Sequence, residues 1–504
     1  MFSPQREKLI VLVCCLIAAA RIFVFSAAFP FFSNSDERAH YDLVYKYSTG
    51  WRPQFDARAG YNDNFSRGAA IDIFLYGSLE FFFPPEHYPG GRTPAPAWRL
   101  PPAQAAAAIE PAVAADLMQE ANHEALSPPV YYVIAGAWRN FGRLLGFSGA
   151  GLLYWIRNLN VLIYVGLVIA AYFFCRTAYP ANAFLRLAVS LTLTVFPQDT
   201  FYSITNDALT PLFFLIAMTM ALALFKGERS VRFYAGTGLM GALTFLIKES
   251  NIAIAGVLGV VLALKIAAAH KSGRWKLEGP RLTALALSAA LPVLAWLAYN
   301  RLEFGTWFIA GQKAELQHWT AKPIGQWLDH PIFTAAGLWT FTRFLLQTLW
   351  RGEIVWHGQR LASAPADAFY VFSSLLFCTI AIIPLLKKPR EPDRTDLFSR
   401  GLSLLAILFS VLFLVYVSIA NDFSRVMYPS KAFPYQASGR LISGALVPFL
   451  GLYFLGWQRL FSRLPRRWNP LWLVGLLAAA VLVSEIVNSR SVFYSLFNWY
   501  HLGG

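Results

Sequence analysis

Long apolar segments separated by short polar segments make up most of the chain. The apolar segments approach the ~20 residues that a helix needs to cross the hydrocarbon core of a bilayer. Candidates for membrane-spanning helices lie near residues 9–29, 156–174, 187–205, 208–225, 233–248, 251–268, 282–300, 368–386, 401–419, 441–457 and 469–487. The pattern therefore predicts an all-α polytopic membrane protein with about 11 transmembrane helices.

Two further apolar stretches, 128–147 and 332–350, are rich in aromatic residues and interrupted by arginines, so each could cross the membrane or lie along its surface. The positive-inside rule decides between these alternatives, because short cytoplasmic loops concentrate Lys and Arg. If neither stretch crosses, the short basic loops all fall on one side, and they are residues 175–186, 226–232, 265–281, 387–400 and 458–467. We therefore expect both stretches to be juxtamembrane, with the N-terminus in the cytoplasm and the C-terminus outside.

The net charge of the chain follows the same topology. The sequence has 43 Lys and Arg residues against 28 Asp and Glu residues, a formal net charge of +15. Residues 1–8 and the five basic loops contain 21 of these basic residues and 6 of these acidic residues, which accounts for the whole excess. The positive charge therefore indicates orientation in the membrane, and no nucleic-acid partner is expected.

Composition excludes several other classes of protein. Hydrophobic residues make up 56% of the chain and charged residues only 14%, which excludes a soluble cytosolic enzyme, a disordered chain and a disulfide-rich secreted domain. The first apolar stretch runs to about Phe29, which is too long for a signal peptide, so we expect an uncleaved first span. The cysteines (Cys14, Cys15, Cys175 and Cys378) have no metal-ligand spacing and are expected to be small buried side chains.

The predicted topology gives a single membrane domain over residues 1–504 with three external segments. The first external loop covers 30–155 and the second major loop covers 301–367, whereas the third, 420–440, is short. Within the first loop, a proline-rich segment precedes a stretch that predicts a helix, AQAAAAIEPAVAADLMQEANHEA. No internal repeat of the kind that builds secondary transporters is visible. We therefore expect the functional residues in the external loops.

An acidic pair, Asp36-Glu37, follows the first predicted span in the sequence SNSDERAHYD. Adjacent acids at a membrane boundary are often only a solvated loop. Here, however, Arg38, His40 and Asp42 keep a polar cluster within one or two helical turns. A carboxylate near a membrane surface suits a general base that takes a proton from an incoming hydroxyl, or a group that stabilises positive charge at a sugar carbon. Asp36 and Glu37 are therefore candidate catalytic residues.

Four cations, Arg157, Lys248, Arg301 and Arg440, lie at predicted outer boundaries of membrane spans. Each alone has a simpler interpretation, since Arg157 could be an interfacial arginine and Lys248 could form an ion pair with its neighbour Glu249. Together, on the same face as the acidic pair, they favour an anionic lipid substrate whose phosphate they bind.

Asp207, in the segment FPQDTFYSITNDAL, lies at a tight outer turn between two predicted spans. Its side chain could cap the helix that follows, or it could belong to the site, and one residue can do both. As a site residue it would support Arg157 or Lys248 electrostatically.

Six segments carry a resemblance to a known family, and in chain order they are DERAHYD, SPPVYYVIAGAWRNFG, WIRNLNVLIYVGLVIAAYFFCR, FPQDTFYSITNDAL, GALTFLIKES and ASGRLISGALVP. Their order and spacing resemble the GT-C glycosyltransferases, membrane enzymes that include the protein O-mannosyltransferases and the lipid A aminoarabinose transferase. In that family the Pro-Pro-Tyr-Tyr stretch is a juxtamembrane helix, which agrees with the charge argument for 128–147. The sequence departs from the family at Leu441, where many members have Tyr. It also lacks the large soluble domain of oligosaccharyltransferases, which disfavours protein N-glycosylation.

The resemblance implies a GT-C-like fold and an inverting glycosyltransferase that uses a polyprenyl-phosphate sugar as its donor. Its acceptor would be a cell-envelope glycan, a lipopolysaccharide or a protein hydroxyl, met at the external face of a bacterial inner membrane. Asp36 would deprotonate the acceptor hydroxyl and Glu37 would orient the acceptor or share the proton. The four cations would bind the donor phosphate, and the supporting residues would be His40, Asp207, Tyr131 and Tyr132. Asp36 and Glu37 could hold a divalent metal ion, but no cofactor is predicted.

Two other functions remain as alternatives. A transporter or flippase of lipid-linked sugars would also need a cationic pocket that faces the bilayer, but it would not need a carboxylate pair on a long external loop. A non-catalytic envelope-assembly protein would need neither the cationic pocket nor the carboxylate pair. In such a protein Asp36 would be dispensable.

Overall fold

The computed structural model describes residues 3–32, 36–50, 64–113, 117–227, 229–308, 310–386, 394–424, 428–462 and 470–501. Regular structure in these residues is almost entirely α-helical, with short 3₁₀ segments at many turns. The helices are α1 Pro4–Ala28, α2 Glu37–Ser48, α3 Arg67–Tyr76, α4 Pro102–Ala112, α5 Val130–Leu144, α6 Gly149–Ala178, α7 Ala183–Thr194, α8 Thr210–Ala223, α9 Val231–Phe245, α10 Ala253–Lys271, α11 Trp275–Phe304, α12 Ala310–Leu316, α13 Ala335–Arg351, α14 Ala364–Ile382, α15 Arg394–Ala420, α16 Leu446–Phe461 and α17 Pro470–Phe493.

Within the described ranges, nine helical segments are long and apolar enough to cross a membrane, by length and composition. They are Pro4–Ala28, Gly149–Ala178, Asn206–Ala223, Glu249–Lys271, Trp275–Phe304, Ala364–Leu386, Asp396–Ala420, Gly439–Phe461 and Pro470–Phe493. This confirms the predicted class, an all-α polytopic membrane protein. The remaining two of the eleven predicted spans are shorter helices, α7 with 12 residues and α9 with 15 residues.

The predicted span 187–205 is wrong as a continuous helix, because α7 ends at Thr194. Pro197 follows three residues later, and proline disfavours a helical conformation in the residue before it and has no N–H to donate. The chain continues instead through two short 3₁₀ segments, Asp199–Tyr202 and Asn206–Ala208. This irregular stretch places polar side chains, rather than a further helical turn, at the end of the bundle.

The two ambiguous stretches each form one helix, α5 in 128–147 and α13 in 332–350. Neither helix is among the nine segments that are long and apolar enough to cross. On α5, Trp138 stacks on Trp155 with ring centroids 4.4 Å apart, while Val133 and Leu144 on the same helix are exposed. Exposed apolar side chains on one face of α5 are typical of a helix that lies on a bilayer.

The first external loop is less helical than its alanine-rich stretch predicts. In that stretch α4 ends at Ala112, and most of the described residues 118–125 lie in turns or bends. Four two-residue strands form the described ladders, pairing β1 Thr320–Ala321 with β4 Asn421–Asp422 and β2 Val355–Trp356 with β3 Gln359–Arg360.

Segments predicted to lie on the same side of the membrane contact one another in the structure. At one end, Arg186 pairs with Glu7 at 2.8 Å between Nη2 and Oε1, and Asn182 donates to Gln458 at 2.7 Å. These residues belong to segments predicted to be cytoplasmic. The segments predicted to be external meet at the opposite end, around Asp36. Which end faces the cytoplasm stays a prediction.

A buried ion pair links the first and last long helices. Arg21 on α1 and Glu485 on α17 pair at 2.8 Å between Nη1 and Oε2, and both side chains are only 4% exposed. Arg21 also donates to the backbone carbonyls of Thr194 and Phe196, just where α7 stops. The guanidinium therefore satisfies carbonyl groups that the broken helix leaves without internal partners.

Candidate active site

Asp36 is at the start of α2, and its carboxylate forms an ion pair with the guanidinium of Arg440. Its Oδ1 also lies 3.7 Å from His123 Nε2. Burial alone raises the pKa of Asp36, but the charges of Arg440 and His123 outweigh it and hold that pKa well below its ordinary value. The side chain is 22% exposed. Asp36 is therefore an ionised carboxylate that a substrate can reach.

Arg440 is surrounded by three carboxylates but bonds directly to one of them. Besides its pair with Asp36, its Nη1 lies 3.8 Å from Asp207 Oδ2 and its Nε lies 3.6 Å from Glu353 Oε2. Within the described part of the chain, Nε of Arg440, Oδ2 of Asp207 and Oε1 of Glu353 are buried without a hydrogen-bond partner. The guanidinium thus keeps one free N–H in a polar, enclosed space.

Lys248 is held beside this group by Asp207. The Lys248 ammonium forms an ion pair with Oδ1 of Asp207, whose side chain is completely buried. The capping interpretation of Asp207 is wrong, because the hydroxyl of Thr205 accepts from the Asp207 N–H and no side chain caps α8. Asp207 instead lies between two cations, Lys248 and Arg440, as a supporting residue would.

A second charged group next to Asp36 was not predicted from the sequence. Glu124 pairs with Lys313 at 2.9 Å between Oε1 and Nζ, and the same oxygen is 3.8 Å from His123 Nε2. Burial opposes the charge on each residue, but their mutual attraction lowers the pKa of Glu124 and raises that of Lys313. His123, 27% exposed, therefore lies between two carboxylates, which raise its pKa against the effect of burial.

His123 and Glu124 lie in a turn that carries no recognised motif, so the sequence pattern offers little reason to single them out. The one available signal is the run Asn122-His123-Glu124, three polar residues at the end of an otherwise apolar stretch. Lys313 lies on α12, far along the chain, and only the folded structure brings it to Glu124.

The predicted supporting residues His40, Tyr131 and Tyr132 form a buried layer under the site. His40 Nδ1 is 2.8 Å from the hydroxyl of Tyr132, and the Tyr131 and Tyr132 rings pack edge to face with centroids 5.4 Å apart. Burial lowers the pKa of His40 to about 4, although Glu124 and Asp36 oppose the shift. His40 is therefore neutral at physiological pH, and its place here is that of a packing and hydrogen-bonding group.

Glu37 and Arg157 occupy a different place from the one expected. Glu37 accepts two hydrogen bonds from Arg157, at 2.8 Å from Nε and 2.6 Å from Nη2, and two more from the backbone N–H groups of Phe32 and Ile204. Arg157 uses its other N–H groups on the carbonyls of Ser26, Phe29 and Pro30.

Both side chains of this pair are completely buried. The roles expected of Glu37 towards the acceptor and of Arg157 towards the phosphate are therefore corrected, because each group is already saturated with protein partners. The pair instead fixes the segment that presents Asp36.

Arg301 is not brought to the site. It lies exposed near the end of α11, where it donates to the carbonyl of Gly305. None of the ion pairs among the described residues joins it to the Asp36 group. The expected phosphate contact by Arg301 is therefore not supported, whereas Lys248 and Arg440 both lie in the charged group around Asp36 and Asp207, and their phosphate contact stays a prediction.

Whether Asp36 and Glu37 hold a divalent metal ion stays a prediction. The parts of the chain that the structure describes contain no group of three or more His, Cys, Asp or Glu side chains arranged to hold a metal ion.

No protein-family model and no curated protein matches the sequence. Among solved structures, the Archaeoglobus fulgidus oligosaccharyltransferase in complex with Zn and sulfate matches with a TM-score of 0.42 at 11% identity, covering 96% of this chain and 53% of that one. The oligosaccharyltransferase AglB from Archaeoglobus fulgidus, in complex with an inhibitory peptide and a dolichol-phosphate, matches with a TM-score of 0.43 at 11% identity, covering 97% and 56%.

This chain therefore spans about half the length of the structures it matches. At these TM-scores the likeness assigns no residue and no activity to it.

Proposed function

We propose that this protein is an inverting glycosyltransferase that moves a sugar from a polyprenyl-phosphate-linked donor to a hydroxyl of a cell-envelope acceptor. The observation that carries the proposal is the meeting of an ionised, accessible carboxylate, Asp36, with Arg440 and Lys248 at one end of a membrane bundle. These three residues come from distant parts of the chain, and Lys248 and Arg440 lie where helices that are suited to the membrane begin.

The proposed reaction needs one base and a site for one leaving charge. Asp36 takes the proton of the acceptor hydroxyl as the acceptor oxygen forms its bond to the anomeric carbon. The bond from that carbon to the phosphate oxygen breaks on the opposite face, and its electron pair leaves with the polyprenyl phosphate. The configuration at the anomeric carbon is therefore inverted.

Arg440 and Lys248 are the cations proposed to bind the donor phosphate. Arg440 offers an N–H that has no protein acceptor, and guanidinium groups bind phosphate through two parallel hydrogen bonds. Because negative charge grows on the phosphate as the sugar leaves, loss of one such contact should cost ~3–4 kcal/mol of transition-state stabilisation. Lys313, beside Glu124, is a third candidate in place of Arg157 and Arg301.

The acceptor is proposed to be a lipid-linked glycan, a lipopolysaccharide or a protein hydroxyl, approached from the external loops. We place the protein in a bacterial inner membrane, with the site and the C-terminus on the periplasmic side and no cofactor. The location of the charged group at the end of the bundle opposite Glu7 supports this arrangement, since Glu7 belongs to the predicted cytoplasmic face.

A transporter or flippase of lipid-linked sugars is the main rival, and a non-catalytic assembly protein is a second. Proteoliposomes that contain the purified protein, a radiolabelled polyprenyl-phosphate sugar and extracted envelope acceptors distinguish these functions. Transfer of label to the acceptor by the wild-type protein, and its loss in Asp36→Asn, is the expected result. Movement of labelled donor between leaflets without transfer would favour a transporter, and neither event would favour the assembly protein.

A further inference from the structure

The proposed base and the proposed phosphate-binding group are bound to each other. The Arg440 guanidinium forms its direct ion pair with Asp36, through Nη2 and Oδ2. A phosphate that binds the guanidinium through two parallel hydrogen bonds, from Nε and Nη2, needs the nitrogen that donates to Asp36 and so weakens this pair.

The rest of the Arg440 side chain is poorly satisfied. Its Nε has no hydrogen-bond partner, and the nearest oxygens of Asp207 and Glu353 are 3.8 and 3.6 Å from its nitrogens, too far for direct hydrogen bonds. Buried polar groups are normally paired, so the unpaired Nε indicates a position that is completed by an acceptor on another molecule. An anionic group with several acceptor oxygens fits the Nε donor, and the nearby Lys248 ammonium adds to its attraction.

We propose that the donor phosphate and Asp36 compete for Arg440, so that binding of the donor releases Asp36 to act as the base. This inference rests on the proposed function. Before the donor arrives, the ion pair with the Arg440 guanidinium makes the Asp36 carboxylate a weak base. When the phosphate takes over the guanidinium, Asp36 keeps its neighbour His123, 3.7 Å away, but is free to accept the proton of a hydroxyl.

The competition makes the order of events part of the mechanism. An acceptor that arrives first meets a carboxylate that is already paired, and it cannot be activated until a donor is present. The same ion pair therefore keeps the base inactive in the free protein and couples its activation to the substrate that supplies the sugar.

Binding of undecaprenyl phosphate to the purified protein in detergent micelles tests this competition without any catalytic turnover. The variants are Asp36→Asn, Arg440→Gln and the double variant, with Asp422→Asn as a control. Asp422 is an exposed acid whose partner is Lys322, outside the Asp36 group, so its removal reports the general effect of deleting a negative charge. Undecaprenol, which has no phosphate, is the control ligand, and the thermal midpoint of each variant checks that it is folded.

Asp36→Asn is expected to tighten binding of undecaprenyl phosphate roughly tenfold, since it removes the competing carboxylate, and Arg440→Gln is expected to weaken binding. In the Arg440→Gln background, Asp36→Asn should have no more effect than Asp422→Asn. Unchanged or weaker binding by Asp36→Asn, in a wild-type protein that does bind the phosphate lipid, would overturn the competition and leave the proposed function standing. If the wild-type protein binds undecaprenyl phosphate no better than undecaprenol, both proposals are wrong.

Discussion

At the scale of single residues, two adjacent acids have opposite environments. Asp36 is accessible and paired with Arg440, which is 404 positions away, while Glu37 is buried against Arg157, 120 positions away. The sequence singles out the pair but cannot separate its members, because their partners come from distant segments. The same limit explains why Arg157 and Arg301 were expected at the site and Lys313 was not.

The first prediction distinguishes Asp36 from Glu37 by how much the loss of each charge lowers the stability of the protein. Glu37→Gln leaves the buried Arg157 without its counter-charge, so we expect the free energy of unfolding to fall by about 3–5 kcal/mol. Asp36→Asn, at a partly exposed position, should change it much less. Denaturant unfolding of both variants in the same detergent gives the comparison, and equal losses in the two would contradict the roles assigned here.

The second prediction concerns the pH dependence of stability at His123. Contact with Asp36 and Glu124 raises its pKa in the folded protein above its ordinary value, despite burial. Because the pKa of His123 is higher in the folded protein than in the unfolded chain, its protonation stabilises the fold fully at a pH below the ordinary pKa of histidine, about 6.5. This stabilisation is lost as the pH rises through the pKa of His123 in the folded protein.

The wild-type protein should therefore lose its stability advantage over His123→Gln as the pH is raised from about 6 to 9. Thermal midpoints of the two proteins, measured across this range, test the sign. A difference that stays constant or grows with pH would contradict it.

At the scale of elements, the helices follow from apolar periodicity and length, whereas the site lies where that regularity fails. Most predicted spans match helices, but α7 stops at Thr194 and the segment Gly439–Ala445 is a 3₁₀ helix ahead of α16. Such interruptions depend on contacts between segments, which hydropathy does not contain. They present Asp207 and Arg440 to the site.

The third prediction tests the position of the Arg440 segment. Gly439 packs directly on the backbone of α13 at Leu349, and a Cβ at that position would overlap it. Gly439→Ala should therefore destabilise the protein by about 1–3 kcal/mol and weaken binding of undecaprenyl phosphate by displacing Arg440. Gly401→Ala, where a Cβ meets open space, is the matched control and should be neutral or slightly stabilising.

At the scale of the whole molecule, the distribution of basic residues predicts which segments share a side of the membrane, and several of these segments contact one another. Segments predicted to share a side of the membrane meet at one end of the bundle, as the Glu7–Arg186 pair and the Asp36–Arg440 pair illustrate. The number of membrane spans was harder to predict, since two of the helices at predicted spans, α7 and α9, are short. Fold class was thus accessible from composition and spacing, while the pairing of charges required the three-dimensional arrangement.

The fourth prediction fixes the orientation of the bundle. Cysteines introduced at Asp422 and at Ser272, both exposed, report the two opposite ends. In intact spheroplasts an impermeant maleimide should label Asp422→Cys, and it should label Ser272→Cys only after the membrane is permeabilised. Native cysteines add little background, since Cys14, Cys15 and Cys175 are buried and the half-buried Cys378 lies inside a candidate membrane span, Ala364–Leu386. The reverse labelling pattern would place the Asp36 group in the cytoplasm.

The rate of the sugar-transfer step in a single turnover is the most direct test of Asp36 as the base of a glycosyltransferase. Purified protein in excess over a radiolabelled polyprenyl-phosphate sugar, mixed with extracted envelope acceptors, would be compared with Asp36→Asn and with Asp422→Asn, an exposed acid outside the site. We expect Asp36→Asn to slow transfer by about 10²–10⁴-fold while Asp422→Asn matches the wild type. Transfer by Asp36→Asn at the wild-type rate would contradict the account.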